Sequence, residues 1–147
     1  MPREFKTILC PTDFSEESYR ALEYAVRFAK LSDGTILIPH IIHIPTEHLR
    51  DDEGHVLPFE RLKSRAQALL EEARATYTSG YPKCELLLDV GDPFELLLGI
   101  AQQRKVDLVV IATHGRTGVE HLVIGSVAEK IIQHAPCPVF VVRRGAE

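Results

Sequence analysis

Five short apolar runs recur along the chain, at Thr7–Cys10, Thr35–Ile44, Cys84–Val90, Leu108–Ala112 and Val139–Val142, with helical patterning between successive runs. Brief runs rich in β-branched residues are what strands covered on both faces look like. The segments between them are long enough for crossover helices, so neighbouring strands pair in parallel and not as hairpins. The order β-α-β-α-β-α-β-α-β specifies a five-stranded parallel sheet between two helical layers, a three-layer α/β/α sandwich. At 147 residues the expectation is a single domain over 1–147.

The helix signals are local. Ser15 precedes Glu16 and Glu17, a capped start with acidic residues in the first turn, and Leu22, Ala25, Val26 and Ala29 make an apolar face that Asp33-Gly34 terminates. A second helix is predicted over Phe59–Tyr77, with Leu62, Ala66, Leu69, Leu70 and Ala73 as its stripe. Asp92 as N-cap, Pro93 at the first helical position and Glu95 as a capping-box partner open a third helix, which runs to about Gln103. The fourth carries Val127, Ala128, Ile131 and Ile132, is capped by Ser126 and stops at Ala135-Pro136-Cys137-Pro138. Pro45–Pro58 reads as a long, charged, mobile loop poised to cover the ends of the strands.

Charge and cysteine usage narrow the class. A net charge of −4 argues against non-specific nucleic-acid or anionic-membrane binding, which needs a concentrated basic face. Cys10, Cys84 and Cys137 have neither disulfide nor zinc spacing. The first residues lack a signal-peptide core and no segment reaches the roughly 18 apolar residues of a membrane span, so a cytoplasmic location is expected. His40 and His43, three apart on a predicted strand, are expected to point to opposite faces, and His48, His55, His121 and His134 are scattered, so no metal site is expected. No nucleophile elbow or catalytic triad is evident.

The fourth apolar run ends at Ile111-Ala112 and passes into Thr113, His114, Gly115, Arg116, Thr117 and Gly118, a small polar loop whose glycines let backbone approach a ligand. Gly125-Ser126 then opens a helix whose N–H groups point back at that loop, an arrangement suited to an anion. Nine residues separate Gly115 from Gly125, too many for a tight turn. Arg116 offers a cation, and His114 can donate to a phosphate or titrate near neutrality. The Gly-Lys-Ser/Thr ending of a P-loop is missing, since Val127 follows Ser126. After the first strand, Pro11-Thr12-Asp13 places a carboxylate that is either a ribose acceptor or a loop cap.

Ala112, Gly115, Gly125 and Ser126 match the spacing G-x2-G-x9-G-[S/T], with Ala112 in place of the first glycine. On this motif, on Pro11-Thr12-Asp13-Phe14-Ser15 and on the pattern from Phe5 to Arg143, the chain resembles the universal stress protein family. The resemblance implies a Rossmann-like, adenine nucleotide alpha hydrolase-like fold of strand order 3-2-1-4-5 and a cytoplasmic, ATP-binding stress regulator with at most slow hydrolysis. It places Asp13 on ribose, Ile41 and the main chain near Val127 on adenine, and Gly115, Gly125 and Ser126 on the phosphates, with Mg²⁺ balancing charge. It also implies a homodimer through the edge strand Pro138–Val142 and a further protein partner, with no nucleic acid or membrane. Two alternatives stay open: an interaction module of the same family without ATP, kept alive by Ala112, and a nucleotidyl-transfer enzyme on the same fold.

Overall fold

The computed structural model describes residues 4–43, 59–113 and 125–143. In chain order these residues form β1 (Thr7–Leu9), α1 (Glu16–Ser32), β2 (Thr35–Ile42), α2 (Phe59–Tyr77), β3 (Cys84–Val90), α3 (Pro93–Gln103), β4 (Leu108–Ala112), α4 (Ser126–His134) and β5 (Val139–Val142). The strands make one all-parallel sheet ordered β3-β2-β1-β4-β5.

Strand alternation divides the core in two. Ile8, Ile36, Ile38, Leu108 and Val110 pack with Leu22, Ala25 and Ala29 of α1 and Leu70 of α2 on one face. Their sequence neighbours Leu9, Leu37, Val109 and Ile111 meet Leu97 and Ala101 of α3 and Ala128 and Ile131 of α4 on the other. Each fully buried aliphatic side chain contributes about 1.5–3 kcal/mol. That continuous two-sided burial is why the strands read as unbroken apolar runs. Pro39 sits inside β2 without breaking it. The ladder to β1 ends at Leu9↔Leu37, so no N–H is needed at position 39, whose carbonyl accepts the Thr12 N–H beyond the ladder's end.

The caps refine the sequence reading. Ser15 accepts from the N–H of Ser18, and Asp92 from that of Glu95. The left-handed residue that ends α1 is Asp33, at φ 52°, and not Gly34. Gly34 is required for space: a Cβ there would lie 2.0 Å from the Phe5 carbonyl oxygen. Ser126 is not the cap of α4. Gly125 holds that position with extended geometry and no side-chain cap bond, which leaves Ser126 as the first helical residue. The second strand ends at Ile42, short of the predicted Ile44, which lies outside the described residues together with the loop Pro45–Pro58.

Candidate functional site

Winding reverses between β1 and β4, which leave the sheet's carboxyl edge toward opposite helical layers and open a crevice between them. A cavity of about 410 Å³ occupies it, within the range of small-molecule sites. Pro11, Thr12 and Asp13 reach it from the loop after β1, Ile41 from β2, Ile111 and Ala112 from β4, and Gly125, Ser126 and Val127 from the start of α4. Four separate stretches of sequence thus meet around one space. His114, Gly115 and Arg116 lie outside the described residues.

The loop after β1 is held by a closed set of bonds. The Ser18 hydroxyl donates to the Ser15 carbonyl at 2.8 Å, so the Thr12 hydroxyl donates to Ser18 Oγ at 2.9 Å while accepting the Phe14 N–H at 3.0 Å. The Thr12 N–H is bound to the Pro39 carbonyl and its own carbonyl accepts from His40 Nδ1. Thr12 therefore serves the loop's shape with both its main chain and its side chain. Asp13 Oδ1 accepts from the N–H and the hydroxyl of Ser15, the geometry of a loop cap. Phe14 sits at φ 66°, a left-handed conformation that costs a bulky residue about 1–3 kcal/mol, and its ring packs 4.2 Å from that of His40. Backbone held in such a state clusters at ligand sites.

On the other wall, Thr113 joins three elements. Its N–H donates to the Val142 carbonyl of β5, and its own carbonyl accepts the Gly125 N–H at 2.7 Å. A Cβ at Gly125 would stand 3.3 Å from that carbonyl, so glycine lets the chain close here. The first-turn N–H groups of α4, at Ser126, Val127 and Ala128, have no carbonyl four residues back within the helix, and all three residues line the cavity.

Sequence reasoning missed several lining residues, among them Ser18, Pro39, His40, His43, Pro93, Leu97 and Thr113. His40 and His43 were expected on opposite faces of a strand. Both line the cavity because β2 stops at Ile42, which releases His43 from the alternation, and its Nδ1 lies 3.3 Å from the Gly91 carbonyl. The signal available was Gly91, which at φ 154° turns the chain between β3 and α3 and presents that carbonyl.

Fold and crevice together define a doubly wound α/β protein with a cavity at its winding reversal. A model of the universal stress protein family matches residues 4–143, and the chain belongs to that family. Universal stress protein MJ0531 of Methanocaldococcus jannaschii is 32% identical over 141 residues, 95% of this chain and 83% of the relative. The solved structure of hypothetical protein MJ0577 is similar with a TM-score of 0.85 at 28% identity, covering 99% of this chain and all of that one. A universal stress protein crystallised with cAMP shares the fold, with a TM-score of 0.73 at 22% identity over 96% of this chain and 98% of its own. Among the described residues no helix is long and apolar enough to cross a membrane.

Proposed function

We propose that this protein binds ATP in the crevice and acts as a homodimeric, nucleotide-dependent regulator in the cytoplasmic stress response, handing its signal to a protein partner. The observation that carries this reading is the convergence of Pro11–Asp13, Ile41, Ile111-Ala112 and Gly125–Val127 on one cavity of nucleotide size. The bound cAMP of the structural relative supports an adenine nucleotide as the ligand class. Adenine lies against Ile41 and the main chain at Val127, and ribose against Asp13. The phosphates meet the first-turn N–H groups of α4, where the helix dipole favours negative charge.

Mg²⁺ fits this arrangement as an ion carried chiefly by the phosphates, since Asp13 is the one carboxylate among the described residues lining the cavity and Mg²⁺ sites of this kind use one or two. The ion would neutralise phosphate charge. With Asp13 Oδ1 engaged by Ser15, hydrolysis is slow, because fast phosphoryl transfer needs a group placed to orient the attacking water.

The dimer forms along β5. Pro138 and Val142 direct their carbonyls to β4, so Val139 and Val141 turn their N–H and C=O groups to the open edge, where a second strand can add.

Titration calorimetry of nucleotide-stripped protein with Mg-ATP, AMP and GTP tests the ligand. Micromolar, ATP-selective binding is expected, weakened by Gly125→Val, and an absence of nucleotide binding overturns the reading. Light scattering on Val141→Pro, which deletes an outward N–H and leaves the β4 ladder intact, tests the interface. A monomer is expected, and an unchanged dimer would place the interface elsewhere.

A further inference from the structure

On the face of the sheet that α1 covers, the rim beside β5 is aromatic. The Phe140 ring, from the middle of β5, lies 5.3 Å from that of Tyr24 and 4.9 Å from that of Phe28, and Phe28 in turn meets Phe5 at 5.4 Å. All four residues are only half-buried. Tyr24 and Phe28 stand one turn apart on α1, and their stripe continues to Leu31, which is 75% exposed. The Arg27 guanidinium, 5.9 Å from the Tyr24 ring, forms its polar border. The opposite rim is finished differently. There β3 exposes Glu85 and Asp89, and Asp89 Oδ1 accepts the Val90 N–H at 2.8 Å, the charged and capped character of an edge kept from pairing. The four residues of β5 are all apolar.

Val139 and Val141, whose N–H and C=O groups point off the open edge, stand symmetrically about Phe140. A second copy of the chain running antiparallel engages all these groups from within the strand in one register, with Val139 opposite the partner subunit's Val141 and the reverse. A shift in either sense brings in Cys137, which lies between two prolines, or Arg143, which lies outside the strand. We infer that the homodimer takes this register, so that Phe140 packs against Phe140 of the partner subunit across the two-fold axis. The Tyr24 and Phe28 rings of both copies then close over the pair. The inference rests on the edge-to-edge dimer proposed above and adds to it a register and an aromatic seam on one face. The Phe140 pair is of the non-hydrogen-bonded kind, whose Cα atoms approach to about 4.5 Å, and aromatic pairs at such positions are strong cross-strand contacts. Burial of half-exposed rings gives a four-residue edge the hydrophobic driving force that main-chain bonds alone do not supply.

Cysteine cross-linking and analytical ultracentrifugation test the seam. Phe140→Cys should give a covalent dimer under mild oxidation, because the paired Cα atoms lie within the span of a disulfide. Mass spectrometry of the linked peptides separates this link from any made by the native Cys137. Val139→Cys and Val141→Cys should link poorly when each is alone and efficiently when the two proteins are mixed, since each faces the other's position. Phe140→Ala and Tyr24→Ala, checked for folding by circular dichroism, should each raise the dimer dissociation constant about tenfold. Leu62→Ala, which truncates a 41% exposed leucine on α2, should leave it unchanged. A 139–139 or 141–141 link, the lack of a 140–140 link in a variant that still dimerises, or an affinity indifferent to both aromatic truncations overturns the inference and leaves the homodimer standing. If the unmodified protein is a monomer at every concentration, the homodimer reading falls with it.

Discussion

The two edges of the sheet are built to different ends. At the amino edge the contacts are short and mutually committed. Gly34 lies against the Phe5 carbonyl, the Tyr81 hydroxyl donates to the Gly34 carbonyl at 2.5 Å, and Asp107 Oδ2 accepts the N–H groups of Lys6 and Thr7 at 3.1 and 3.0 Å. At the carboxyl edge the same strands end around a cavity, with Phe14 in a left-handed conformation and two histidines on its wall. One edge has filled its space and the other has kept it open. In a parallel sheet all strands point one way, so a single edge collects the strand-to-helix loops that can bind and the opposite edge is left to hold the ends together.

Substitutions at the two edges should therefore separate stability from binding. Gly34→Ala forces backbone apart and is expected to lower unfolding free energy by about 3 kcal/mol or more in urea denaturation, because the obstruction is a carbonyl and not a flexible side chain. A loss below about 1 kcal/mol would show that the amino edge is more plastic than its contacts imply. Asp107→Ala removes the acceptor of two N–H groups and should cost about 2 kcal/mol, with nucleotide affinity unchanged in the protein that remains folded. Gly125→Val reverses the pattern: about 1 kcal/mol of stability, as its Cβ crowds the Thr113 carbonyl, and more than a tenfold loss of nucleotide affinity. An equal effect of Asp107→Ala and Gly125→Val on affinity would collapse the distinction between the edges.

The smallest effect is expected at the exposed pair Lys83–Asp33, 2.6 Å apart at the amino edge. The hydrogen bond and charge of Lys83 hold the Asp33 carboxyl below its ordinary value, so the pair's stabilisation is present above the unfolded carboxylate pKa, about 3.9, and is lost as pH falls through the lower folded value. Lys83→Met should lower the melting temperature slightly at neutral pH, and that difference should disappear in acid. A difference that persists in acid would assign it to packing of the lysine stem, not to charge.

The helices Phe59–Tyr77 and Pro93–Gln103 and the strands Cys84–Val90, Leu108–Ala112 and Val139–Val142 were legible as they stand, because two-sided burial and helical periodicity are written in consecutive residues. The strand order came from family resemblance, and the hydrogen-bonded sheet bears it out. Pro11–Asp13 and Gly125–Val127 were found as local motifs, since a loop beside a helix start has its own composition. Thr113, His40 and His43 were not. Thr113 matters through bonds to Val142 and Gly125, and the histidines through carbonyls of Thr12 and Gly91, partners 28 and 48 residues away.

Sequence alone determined which segments are strands and helices and singled out Pro11–Asp13 and Gly125–Val127, which line the cavity, because propensity, capping and periodicity act between near neighbours. Tertiary structure decided that Gly34 is needed for space and not for its dihedral angles, that Gly125 and not Ser126 caps α4, and that two histidines share a wall. Each of these depends on where a distant main-chain group lies, and only the packing of the sheet against its helices fixes that.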